Sequence, residues 1–158
     1  MNKIERPSWD SYFMQIAQVA ASRSTCLRRQ VGAVIVKDKQ ILSTGYNGSP
    51  SGLRHCGEVG CLRQSLKIPA GERTEICRAV HAEQNALLQA AKHGVAIEGA
   101  DMYTSVQPCV LCTKMIINAG IRRVIYAIPY PDLMAMEMAK ESGLDFFFLA
   151  NAVHANGH

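Results

Sequence analysis

The sequence predicts an α/β fold in which one sheet is covered on both faces by helices. Three observations lead there. Helix-like and strand-like segments alternate in the order α-β-β-α-β-α-β-α-β. The first two strands form a hairpin, which makes that pair antiparallel. The 158 residues, 48% apolar and 19% charged, suit one packed domain. We read residues 1–158 as that single domain, with a core over about 9–149 and a frayed tail over 150–158. No internal repeat or low-complexity tract interrupts it.

Ser8 can cap a first helix whose apolar positions Trp9, Tyr12, Phe13, Ile16 and Val19 recur at helical spacing. Val31 to Val36 and Gln40 to Tyr46 are β-rich runs joined by the polar turn Asp38-Lys39. Asn47 to Glu75 carries glycines, prolines and scattered charges without a period. It reads as a long irregular insertion, of the kind usually tied to function or to a metal. Ala79 to Lys92 is an alanine- and leucine-rich helix that stops at Gly94. Asp101 to Val106 is a strand, and Pro108 can open the next helix, which runs to Gly120. Arg123 to Ile128 is a strand, Pro131 to Glu141 a helix, and Leu144 to Leu149 the last strand.

The net charge of +4 is modest, and its basic residues are scattered; Arg28-Arg29 and Arg122-Arg123 are the adjacent pairs. That pattern lacks the clustered stripe of a nucleic-acid-binding face and still suits a small anionic ligand. Met1 to Asp10 is charged and contains Pro7, so no secretory signal is expected. No run approaches the ~18 apolar residues of a membrane span. A cytoplasmic, reducing location follows, where six cysteines are more often metal ligands or catalytic groups than disulfides. The formal glycosylation sequon Asn47-Gly48-Ser49 is set aside on the same ground.

The chemistry concentrates in His81-Ala82-Glu83 and, after a gap, Pro108-Cys109-Val110-Leu111-Cys112. Each half falls at a predicted helix start. Two cysteines three apart face the same way across one turn. The free N–H groups and positive dipole of a helix start favour thiolate over thiol. Two thiolates and an imidazole are preferred zinc ligands, and three protein ligands leave the fourth tetrahedral position to water. Zinc brings the pKa of such a water down from about 15.7 towards ~7. Glu83, two residues after His81, points away from the ligand direction and suits a proton shuttle near that water. H-x-E followed by P-C-x-x-C is the signature of zinc deaminases. Either half alone would be weak, since a lone C-x-x-C or helical histidine is commonly structural.

Further segments carry a resemblance. Val31-Gly32-Ala33-Val34-Ile35-Val36, Gly45-Tyr46-Asn47-Gly48-Ser49-Pro50 and His81-Ala82-Glu83-Gln84-Asn85-Ala86, continued by Pro108-Cys109 to Cys112 and Ala119-Gly120-Ile121, resemble the deoxycytidylate (dCMP) deaminase family over roughly residues 9 to 149. The resemblance implies a three-layer α/β/α cytidine-deaminase-like fold with a five-stranded mixed sheet. It implies hydrolysis of dCMP to dUMP and ammonia: zinc-bound hydroxide attacks C4, and Glu83 takes the proton, protonates N3 and serves the departing amine. It also implies that the Ala82 backbone holds the pyrimidine edge, that Asn47 contacts the deoxyribose, and that Tyr130 lies near the nucleotide. Arg23 and Arg28, flanking the entry to the first strand, are the phosphate candidates. Asn47-Gly48 also reads as a plain tight turn, and both arginines as ordinary surface charge. The family further implies a homo-oligomer, often a hexamer, activated by dCTP and inhibited by dTTP, with Mg2+ accompanying these nucleotide effectors.

Cys26, Cys56, Cys61 and Cys77 bracket the insertion. Four thiols around a segment that has no core of its own suggest a second, structural zinc, with His55 as a substitute ligand. Some microbial and phage relatives carry such a zinc, completed in the phage arrangement by a histidine and a glutamate, and one position to compare lies two residues before the catalytic histidine. Here that position is Ala79, which cannot ligate. Four unliganded buried cysteines are the alternative. Two rival functions also stand: a deaminase of the same fold acting on a free nucleoside, a base or a tRNA adenosine, and a zinc-stabilised binding module without catalysis.

Overall fold

A computed structural model of the chain describes residues 4–151. The order of elements is α1 (Trp9–Ala21), β1 (Gly32–Lys37), β2 (Gln40–Tyr46), α2 (Cys56–Val59), α3 (Leu62–Ser65), a 3-10 turn (Thr74–Ile76), α4 (Ala82–His93), β3 (Asp101–Val106), α5 (Val110–Asn118), β4 (Arg123–Ile128), α6 (Leu133–Ser142) and β5 (Asp145–Phe148). The sheet has the strand order β2-β1-β3-β4-β5. β1 runs antiparallel to both β2 and β3, while β3, β4 and β5 are mutually parallel. This is the expected five-stranded mixed α/β arrangement. No helix among the described residues is long and apolar enough to cross a membrane.

The layers follow from the alternation of side chains along the strands. Val34, Val36, Tyr103 and Ile125 face α1 and pack on Phe13, Met14 and Ala17. Ala33, Ile35, Met102 and Val124 face the other way, towards Ala82 and Ala86 of α4, Cys112 and Ile116 of α5 and Ala139 of α6. One helix therefore covers one face, and three cover the other.

Glycine makes the tightest of these contacts. A Cβ on Gly45 would lie 2.3 Å from the Ala82 carbonyl oxygen and 2.4 Å from the Ala86 nitrogen. On the opposite face a Cβ on Gly32 would lie 1.9 Å from the Ala17 carbonyl oxygen. Because Ala33 pairs with Gly45 and Gly32 with Tyr46, the two ends of the hairpin admit a helix backbone on each face. Asp38 and Lys39 turn the hairpin with φ of 50° and 61°, as a two-residue turn of this hand requires.

Several boundaries differ from the sequence expectation. Ser8 caps α1 as expected, accepting the Ser11 N–H. The buried stripe, however, is Phe13, Met14, Ala17 and Ala21, while Trp9, Tyr12 and Val19 are exposed. The sequence reads Cys26 as closing this helix, whereas it lies in the loop that follows. The insertion is not wholly irregular, because it holds two single-turn helices and the 3-10 turn. α4 starts at Ala82, not Ala79, and Pro108 precedes the N-cap Cys109 instead of opening α5. Of the expected tail, residues 152–158 lie outside the described residues.

Candidate active site

His81 is the N-cap of α4 and Cys109 the N-cap of α5. The two helix starts meet beside the C-terminal end of β3. Cys109 Sγ lies 3.5 Å and Cys112 Sγ 3.3 Å from His81 Nδ1, and the three donor atoms are all within 4.8 Å of one another. A tetrahedral ion bound at roughly 2.3 Å by sulfur and about 2.1 Å by nitrogen would hold those donors about 3.6 Å apart. The cluster has the dimensions of a zinc site. Among the described residues it is the only such group of three His, Cys, Asp or Glu donors.

Local structure locks each ligand in place. The His81 N–H donates to Gln84 Oε1 at 2.9 Å, half of a capping box. The Gly45–Pro50 segment clamps the approach to α4. Gly48 and Val80 exchange backbone hydrogen bonds of 3.1 and 2.9 Å, and Asn85 Nδ2 donates to the Tyr46 carbonyl at 2.8 Å. Asn47 accepts from the Val31 N–H and donates to the Arg29 carbonyl, each at 2.8 Å, so its carboxamide braces the entry to β1. Thr113 Oγ1 donates to the Cys109 carbonyl at 2.9 Å.

Glu83 is buried in the first turn of α4. Cys112 Sγ donates to its Oε2 at 3.6 Å, and Thr104 Oγ1 on β3 lies 3.3 Å from its Oε1. Burial lifts the Glu83 carboxyl above its ordinary value, with the neighbouring His81 charge opposing the rise. The hydrogen bond from Cys112 pulls the Cys109 thiol down to about 4, and that same bond with burial pushes Cys112 up. The hydrogen bond with Cys109 raises His81, against desolvation.

The other predicted residues divide. Ala82 is fully buried at the first position of α4. The Tyr130 N–H donates to Gln107 Oε1 at 3.0 Å, just before the Pro108–Cys112 motif, and its hydroxyl donates to the Gly71 carbonyl at 3.4 Å. Arg28 Nη1 donates to the Ile68 carbonyl at 3.1 Å. Arg23 is exposed after α1. Cys56 is buried, and its thiol is raised by that burial and then by the nearby Cys26, Cys77 and Cys61. Those four cysteines therefore converge, although they are not drawn into a cluster as tight as His81, Cys109 and Cys112. His55 Nδ1 is engaged by Thr25 Oγ1 at 3.0 Å.

Sequence reasoning missed two residues. Thr104, beside Glu83, reads as one more β-strand residue, and Arg63, whose Nε is buried without a partner, as surface charge in an irregular loop. A cleft of about 420 Å³ at the opposite end of the sheet, lined by Trp9, Lys37, Asp101 and Arg123 among others, shares no residue with the cluster. It is occupied by ion pairs of Arg122 and Arg123 with Asp10 and Asp101.

Residues 7–128, the span that contains this cluster, match the family model of the cytidine and deoxycytidylate deaminase zinc-binding region. The chain belongs to that family. It is 43% identical over 125 residues to the deoxycytidylate deaminase of Schizosaccharomyces pombe, a match covering 79% of this chain and 38% of the yeast protein. It is 43% identical over 142 residues to ComE operon protein 2 of Bacillus subtilis, covering 89% of this chain and 71% of that one. The dCMP deaminase of cyanophage S-TIM5, crystallised with dCMP and dUMP, superposes with a TM-score of 0.77 at 30% identity, over 92% of this chain and all of the phage chain. The chain thus spans well under half of the yeast relative and the full length of the phage one.

Proposed function

We propose that this deaminase hydrolyses dCMP to dUMP and ammonia. One observation carries the choice of substrate: the cyanophage protein holding dCMP and dUMP aligns with this chain over its whole length. The His81, Cys109 and Cys112 donors fit zinc by spacing and by chemistry. Bound there, zinc would supply a Lewis acid that makes water nucleophilic at neutral pH. Glu83 moves the protons. Its buried carboxyl, raised above its ordinary value, can take a proton from the attacking water, pass it to N3 of the base and serve the departing amine. Thr104 positions Glu83.

The backbone of Ala82 is assigned to the pyrimidine edge and Tyr130 to the nucleotide beside it. Asn47 would meet the deoxyribose through the hydrogen-bonding capacity it does not spend on Val31 and Arg29. Arg23 and Arg28 remain assigned to the phosphate side. Ammonia release measured separately from dCMP, deoxycytidine, cytidine and guanine tests the reading. Turnover of dCMP supports it; turnover of an unphosphorylated compound alone replaces it.

A second, structural zinc is proposed at Cys26, Cys56, Cys61 and Cys77, with His55 as the substitute donor. Convergence of three thiols on the buried Cys56 supports it. Elemental analysis giving about two zinc ions per chain supports the staple, and one removes it. We also propose a cytoplasmic homo-oligomer, hexameric, whose turnover dCTP raises and dTTP lowers in the presence of Mg2+. The exposed apolar side chains of α6 and β5, among them Leu133, Met134 and Phe147, support burial against another copy. Turnover against dCMP with and without dCTP tests the regulation.

A further inference from the structure

We propose that Arg63, brought to the mouth of the catalytic site by the insertion, grips the 5′-phosphate and sets the preference for nucleotide over nucleoside. This rests on the nucleotide reading above.

Arg63 sits on α3, half-buried. Its Nη2 makes one long hydrogen bond, 3.4 Å to the Pro69 carbonyl, and its Nε is buried without a partner. Among the described residues every salt bridge of an arginine involves Arg73, Arg122 or Arg123, so Arg63 forms no ion pair, although its charge reaches Glu75, which is bound to Arg73.

Its location follows from a short strap. Arg63 holds that strap at Pro69, and Tyr130 donates to its Gly71 carbonyl two residues further on. The Tyr130 N–H is in turn fixed by Gln107, which leads into Pro108 and Cys109. Arg28 grips the same strap at Ile68. One four-residue strap, Ile68 to Gly71, therefore lies between the guanidinium and the residues that lead into the metal cluster. Its charge is felt at both Tyr130 and His81.

A guanidinium offers five donors in a planar fork that matches a phosphate in two-point contact. Here the fork is almost unspent and holds no carboxylate in direct contact. A buried donor left without a partner is costly, and an anionic ligand removes that cost. A phosphate monoester fits this need, and an uncharged nucleoside leaves it unmet.

The test is calorimetric binding of dUMP and of deoxyuridine to the zinc-loaded protein, for wild type, Arg63→Ala, Arg63→Lys and Arg73→Ala. Arg73, paired with Glu75 on the surface of the same insertion, is the control. Wild type should prefer dUMP over deoxyuridine. Arg63→Ala should weaken dUMP about tenfold to a hundredfold and leave deoxyuridine unchanged. Arg63→Lys should recover part of the loss, and Arg73→Ala should bind as wild type. With dCMP as substrate, Arg63→Ala should raise KM and largely spare kcat. Equal losses for both ligands, unchanged dUMP binding, or no preference in wild type overturns the proposal. An Arg63-dependent preference in a protein that releases no ammonia from dCMP sinks the deaminase reading and leaves the phosphate assignment standing. Turnover of dCMP with Arg63 dispensable does the reverse.

Discussion

The Asp132 carboxylate accepts the backbone N–H of Val110 at 2.8 Å, one residue beyond the metal-ligand candidate Cys109. Its other oxygen accepts from Ala135 N at 3.1 Å, so one side chain caps two helices, α5 and α6. This joint holds the start of α5 at the orientation from which Cys109 and Cys112 reach His81. Asp132→Ala should cost about 1–2 kcal/mol in denaturant unfolding and speed the release of zinc to a chelator. Unchanged stability would mean that the double cap is incidental.

Gly45→Ala sets a Cβ against backbone atoms of α4, which cannot swing aside. A loss of about 3 kcal/mol is expected, with weaker zinc retention, because the helix it displaces carries His81. Gly57→Ala is the comparison: nothing lies within 4 Å of its Cβ position, and its unfolding midpoint should stay near wild type.

The five strands were legible from the sequence because each is a short β-rich run bounded by turn residues. The His81, Cys109 and Cys112 cluster was legible because both halves of its motif sit at helix starts, where caps and free N–H groups have sequence signals. α2 and α3 were not, since a four-residue helix has no period to read. Trp9 and Tyr12 looked like core by spacing. In fact α1 buries the stripe of Phe13, Ala17 and Ala21, and Trp9 stays out under Lys39, whose Nζ is 5.1 Å from its ring. The carboxamide of Asn47 also braces Val31 and Arg29, a structural task that the Asn-Gly pair does not signal. Arg63 owes its place to the path of the insertion, which no local pattern encodes.

Thr104→Val removes the hydroxyl 3.3 Å from Glu83 Oε1. The one Thr104 hydroxyl proton is shared between Glu83 and the Val106 carbonyl, 3.0 Å away. The share given to the carboxylate favours its charged form, so its loss should raise the Glu83 pKa further above its ordinary value. The acid limb of kcat/KM should therefore move to higher pH, with kcat about tenfold lower and zinc content unchanged. Thr104→Ser should restore the wild-type profile. A pH profile that does not move removes Thr104 from its positioning role.

In zinc-stripped protein, Cys109 carries a thiol pulled down to about 4 from 9.0 by its hydrogen bond with Cys112. A depressed pKa means that the charged form stabilises the fold above the unfolded pKa, and that this contribution is lost as pH falls through about 4. Alkylation of Cys109 should be flat between about pH 6 and pH 8, whereas an ordinary thiol gains reactivity over that range. Zinc should protect it. Alkylation that rises like that of a free thiol would contradict the lowered Cys109 thiol.

The most direct measurement is ammonia release from dCMP by wild-type and Glu83→Gln protein, with zinc counted in the same samples. Wild type should turn dCMP over, and Glu83→Gln should keep its zinc while losing at least about 10²–10⁴-fold in kcat. Activity retained by the zinc-loaded glutamine variant, or a zinc-replete wild type inert towards dCMP, would contradict the assignment.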